Sequence, residues 1–182
     1  MNGLTYDQKL ILLLYESFFS KRYPFDASND ERTRVHINVE KMCYLLQLNG
    51  LDIGGFCYSW NKFGPFSPGL LAVLRSLDLK KQDADSFYES GKKISDYLSE
   101  AENERIFSLI RVLFFNNCCK DINKWMELLG SLAFLSNSVL PGEDFVRIHD
   151  EIVKRKKHFS DREENILAWN VLKQSGLLKS VC

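Results

Sequence analysis

Tyr58-Ser-Trp60-Asn-Lys-Phe63-Gly64-Pro65-Phe66-Ser67-Pro68-Gly69-Leu70 sets four aromatic residues, a Gly-Pro pair and a helix start within thirteen residues. Alternation of Tyr58 and Trp60 reads as a short strand, and Gly64-Pro65 breaks it. Ser67 followed by Pro68 has the chemistry of an N-cap and a first helical position. The hydroxyl accepts an orphan amide there, and proline's missing N–H costs nothing at that point. No catalytic group stands in this stretch, so it reads as a strand-turn-helix scaffold.

Upstream, Thr5 and Gln8 make a capping-box pattern ahead of an apolar run through Phe19, which predicts a first helix over about 5–20. Tyr23 to Arg34, with Pro24, Asp26, Ser28, Asn29, Asp30 and Glu31, reads as a polar loop. Val39, Met42, Cys43 and Leu46 then recur at helical spacing, and Asn49-Gly50 supplies C-terminal cap residues. Tyr44, Leu45 and Leu48 make the other side of this second helix apolar too, so it should lie between other elements. Downstream, Leu70, Leu71, Leu74 and Leu77 predict a third helix over about 67–78. Lys80 to Lys93 reads as a short strand pair or a loop.

The second half reads as all helix. Ser99 with Glu102 is a capping box before Ile106, Leu109, Ile110 and Leu113. Asp121 caps a helix carrying Trp125, Leu128, Leu129 and Leu132. Pro141-Gly142 breaks the chain before Phe145, Ile148, Ile152 and Val153, and Ser160 with Glu163 is a third capping box before a last helix to Gly176. The expected fold is therefore mainly α: a winged-helix-like N-terminal part with a short β-strand or hairpin, packed on a C-terminal helical bundle.

Composition narrows the function classes. The 182 residues suffice for one domain or two closely packed subdomains. Lys plus Arg and Asp plus Glu number 24 each, which argues against non-specific nucleic-acid binding as the main task. With 45% hydrophobic residues the chain is globular. Five cysteines (Cys43, Cys57, Cys118, Cys119, Cys182) with no Cys-x-x-Cys spacing read as reduced thiols of a cytoplasmic protein. The apolar run Leu10–Tyr15 is too short to span a membrane and lacks a signal-peptide pattern.

Candidate chemistry is sparse. His36, His149 and His158 lack zinc-ligand spacing and read as surface or cap residues. Cys43 sits on an apolar helix face as a small core residue. No glycine-rich phosphate loop occurs, so no cofactor or metal is expected. Lys154, Arg155, Lys156, Lys157 and His158 form the densest basic run, which complements a helix C-terminus; phosphate contact is the alternative. As a groove-reading element the third helix offers only Arg75 and Ser76.

Lys41-Met-Cys-Tyr44-Leu45-Leu46-Gln47 followed by Phe63-Gly-Pro-Phe66-Ser67-Pro68 resembles the YwgA-like proteins and the related Panacea antitoxin domain. Those families show a Lys-x-x-Tyr-Leu-Leu helix, an aromatic strand ending in Tyr-Gly-Pro-Tyr-Ser, and a Leu-rich helix. The YwgA-like resemblance extends more diffusely to Trp125–Asn137 and to Ile166–Leu177 with Ala168-Trp169 and Gly176. Phe63 and Phe66 stand where the families have tyrosines, and Gly69 where an acidic residue often follows Ser-Pro. His36, Ile37 and Asn38 do not reproduce the usual Arg-Thr-Lys.

The resemblance implies a small bacterial or phage cytoplasmic protein, with 1–98 as the winged-helix-like subdomain and 99–182 as a helical one, together a compact unit. It implies no enzyme activity. It implies neutralisation of a toxin or defence effector by direct binding. Lys41 and Tyr44 lie three apart on one helix side and are expected to face the Gly64-Pro65 turn. The motif residues Lys41, Tyr44, Tyr58, Trp60, Phe63, Gly64, Pro65, Phe66, Ser67 and Pro68 then either hold the fold together or, where exposed, anchor a partner. A winged-helix nucleic-acid regulator using Lys154–Lys157 and Lys80-Lys81 is the alternative.

Overall fold

The structure, a computed structural model, describes residues 3–115 and 121–178. Cys118, Cys119 and Cys182 lie outside the described residues. The described chain is mainly helical, with one two-stranded antiparallel hairpin.

Helix α1 (Tyr6–Phe19) opens on the expected capping box, with Thr5 and Gln8 satisfying each other's backbone amides. Leu10 to Tyr15 are all buried, so α1 runs through the core. Helix α2 (Asn29–Leu48) begins within the stretch that the sequence presents as a loop. Ser28 is its N-cap, accepting the Glu31 amide at 3.4 Å, and Asp30 and Glu31 stand at the positive end of the helix dipole. Its first two turns carry few apolar residues because Arg32, Thr33 and His36 line a cleft instead of the core.

Strand β1 (Ser59–Asn61) pairs with β2 (Gly64–Phe66), Trp60 opposite Pro65. Gly64-Pro65 is thus not the break but the returning strand, and Lys62-Phe63 makes the turn. Gly64 has φ +93°, which favours glycine. Proline is tolerated in β2 because a two-stranded sheet consists of edges. Helix α3 (Pro68–Asp78) starts at the expected place, with Ser67 accepting the Leu70 amide.

Between Lys80 and Lys93 the chain forms helix α4 (Lys81–Glu89), not a strand pair or loop. Ala84 and Phe87, three apart, are its buried contacts, a spacing that only a helix puts on one side. Helix α5 (Glu100–Phe115) has the Ser99–Glu102 box. Helix α6 (Ile122–Phe134) is capped by Asp121 and continues as a π-helical turn, Leu135–Val139. Helix α7 (Phe145–Arg155) follows the Pro141-Gly142 turn. The last helix, α8 (Arg162–Gln174), is capped by Asp161, whose carboxylate accepts the Glu163 and Glu164 amides at 3.0 and 3.1 Å. Ser160 does not cap it.

Helices α2 and α6 form the most extensive packing of the described chain, and α6 also contacts β2, α7 and α8. One continuous hydrophobic cluster takes residues from each of the helices α1 to α8 among the described residues. No helix of the described residues is long and apolar enough to cross a membrane.

Candidate functional site

Lys41 stands in the α2 turn with Val39, Met42 and Cys43, all of them fully out of solvent, and is itself 2% exposed. Its Nζ donates to the Pro65 carbonyl at 2.7 Å. Lys41 thus meets the Gly64-Pro65 pair as the motif spacing leads one to expect, but that pair lies in strand β2 and is not a turn, and Tyr44 packs on Tyr58 and Phe134. Burial draws the Lys41 ammonium well below its ordinary pKa, and the neighbouring Glu40 carboxylate opposes that fall. Gly130 of α6 passes beside the Lys41 stem; a Cβ there would lie 3.1 Å from Lys41 Cγ and Cδ. A Cβ on Gly64 would lie 2.6 Å from Ser131 Oγ. Two glycines therefore let helix, lysine and hairpin close on one another.

Glu40, 3% exposed, ties the same turn of α2 to the start of α3: its Oε2 accepts the Ser67 amide at 2.9 Å. Its Oε1 is buried with no hydrogen-bond partner. Burial pushes the Glu40 carboxyl up to about 7, against the Ser67 amide and Lys41, which favour the charged form.

Both residues line the inner end of a cleft of about 660 Å³ between α2, the hairpin turn and α3. One side is a single face of α2: Asn29, Arg32, Thr33, His36, Ile37 and Glu40. Opposite stand Leu71, Arg75, Asp78 and Leu79 of the α3 side, and Phe63 with Phe66 closes the end. The helices are clamped at the far end by Asp78. Its Oδ1 accepts the Tyr23 hydroxyl at 2.8 Å, its Oδ2 lies 3.0 Å from His36 Nε2, and Arg32 Nε lies 3.9 Å away. Burial holds His36 below the usual imidazole range despite Asp78, and Arg32 and Arg75 push the same way.

The remaining motif residues divide in two. Tyr44 packs edge-on to Tyr58 at 5.0 Å and against Phe134 at 5.8 Å, and Trp60 meets the same Phe134 at 6.0 Å. Those three, with the buried Gly64, Pro65 and Ser67, hold hairpin to bundle. Phe63 is 37% exposed on the turn, with the Lys62 ammonium 5.2 Å from its ring centre. Phe66 is half-buried in the cleft and Pro68 is exposed at the α3 start.

The basic run does not form one face. Lys156 is buried and pairs with Glu127 at 2.6 Å, Arg155 pairs with Glu151 and lies over the Trp60 ring, while Lys154 and Lys157 are exposed. His149 is buried, with Nδ1 2.9 Å from Asn165 Nδ2. The Cys43 thiol is fully buried and held far above its ordinary pKa by burial; Cys57 is exposed. Among the described residues no three His, Cys, Asp or Glu side chains are placed to hold a metal.

Sequence reading misses Glu40, Arg32 and Asp78 as cleft residues and takes His36 for a surface or cap residue. A signal exists for the first: Glu40 and Lys41 are the only Asp, Glu, Lys or Arg residues between Val35 and Leu46. Comparison with protein-family models, curated proteins and solved structures gives no match.

Proposed function

We propose that this chain is a non-enzymatic protein-binding module of the antitoxin or phage-defence-regulator kind, akin to the YwgA-like and Panacea families, acting in the cytoplasm by direct binding to a toxin or effector. The observation that carries the reading is Phe63: a half-exposed aromatic on a hairpin that Lys41 pins from beneath. A rigid, exposed aromatic beside an apolar cleft is the kind of group that dominates protein interfaces. The neutral overall charge and the sparse catalytic chemistry support the same reading.

The experiment is co-expression with the product of the adjacent gene. A stoichiometric complex and relief of growth arrest are expected, both lost in Phe63→Ala. A neighbour that is harmless alone, or that forms no complex, overturns the proposal. The nucleic-acid alternative has less support, since Lys156 is buried and Arg155 is paired. Salt-sensitive binding to duplex DNA at low ionic strength would revive it.

A further inference from the structure

The cleft has a length, a charge and an unfilled hydrogen-bonding group that together describe an occupant. Its α2 wall runs from Asn29 to Lys41, about 18 Å at 1.5 Å per residue. An extended chain covers that distance with about five or six residues. The walls carry both apolar and cationic groups: Ile37, Phe63, Phe66 and Leu71 are apolar, and Arg32, Arg75 and Lys62 are cationic.

The cations and anions are not equally available. Asp78 has both oxygens engaged inside the protein, by Tyr23, His36 and Arg32. Glu40 is buried. By contrast Arg75 and Lys62 are exposed, and neither has a carboxylate partner among the described residues. An entering chain therefore meets positive charge at the rim and apolar surface within. The lining at the inner end includes Glu40, whose Oε1 is a buried acceptor lacking a donor. A buried acceptor in that state favours any ligand that brings an N–H.

Resting on the protein-binding reading above, we infer that the cleft takes an extended segment of a partner polypeptide that alternates acidic and large apolar side chains, with one of its backbone amides donating to Glu40 Oε1. The acidic side chains face Arg75 and Lys62, and an apolar side chain lies between Ile37, Phe66 and Leu71.

The test uses the full chain and a set of fluorescein-labelled octapeptides alternating Asp or Glu with Leu, Phe or Trp, read by anisotropy. Two control sets replace the acids by Lys or the apolar residues by Ser. The acidic-apolar set should contain saturable binders at least tenfold tighter than either control. The Arg75→Glu, Lys62→Glu double variant, checked for an unchanged melting temperature, should lose at least tenfold and gain affinity for the Lys set. N-methylation of one backbone amide of the best peptide should weaken it about tenfold. Equal binding of the three sets, no saturable binding, or indifference to the double variant overturns the inference. Indifference to N-methylation at every position overturns the role of Glu40. If the neighbour's complex survives the double variant while no peptide binds, the protein-binding reading stands and the cleft is not its seat; if both fail, both fall.

Discussion

Gly64, Gly130 and Lys41 depend on one another: the lysine reaches Pro65 only because two backbones come close without a Cβ. Gly64→Ala places a methyl 2.6 Å from Ser131 Oγ at φ +93°, and is expected to cost about 2–4 kcal/mol of stability in urea denaturation. Glu40 gives a pH signature. Its carboxyl rises to about 7 in the fold from an ordinary 4.5, so the folded protein holds the proton more tightly than the unfolded chain. That contribution is full below pH 4.5 and is lost as pH rises through about 7, with a slope of at most about 1.4 kcal/mol per pH unit. Glu40→Gln should flatten this fall, as read from urea midpoints between pH 4.5 and 7.5. Lys41 acts in the opposite sense at higher pH, since its pKa is lowered. Lys41, Tyr44 and Gly64-Pro65 are legible in sequence because their types and spacing form a motif. The cleft's Asp78 and Arg32 are not, because their meaning comes from a packing 46 positions apart in the chain, as the 3.9 Å approach of 32 to 78 shows.

At the level of elements, cap chemistry decides more than hydrophobic period. The start of α2 escapes a pattern search because its cleft-facing turns are polar, yet Ser28 marks it. Ser28→Ala should lower stability by about 1 kcal/mol and loosen the Arg32 side of the cleft, measurable by amide exchange in residues 29–36. At α8 two neighbours compete for one role. Asp161→Ala should cost about 1 kcal/mol, whereas Ser160→Ala should stay within about 0.5 kcal/mol of wild type; paired thermal melts decide it. Sequence favours Ser160 because of the Glu163 spacing, but the Asp161 carboxylate reaches two amides at once. Helix α4 is missed for a different reason: with nine residues and two buried side chains, its periodic signal is too short to separate from a turn.

Across the whole molecule, the halves 1–98 and 99–182 share one core, because α2 lies against α6 and β2 touches the same helix. Each half alone would expose the buried faces of these helices. Expressed separately, both fragments are expected to lack the sharp thermal transition of the full chain and to show narrow amide dispersion; an independently folded fragment contradicts this. The helical content and the strand at Trp60 are legible from period and alternation, whereas the returning strand Gly64–Phe66 and the face that each half offers the other are not, since Gly-Pro signals a break and α2 is apolar on nearly every side. Trp60 joins these levels. It sits on the hairpin that carries Phe63, under the guanidinium of Arg155 at 4.9 Å and near the Lys156 ammonium at 5.4 Å. The other two tryptophans, Trp125 and Trp169, lie in α6 and α8. In a Trp125→Phe, Trp169→Phe background, emission comes from the hairpin's own indole alone, shaded by two cations whose distance depends on how the hairpin rests on α7. The protein thus carries a built-in optical gauge of its hairpin's seating, readable without any attached dye.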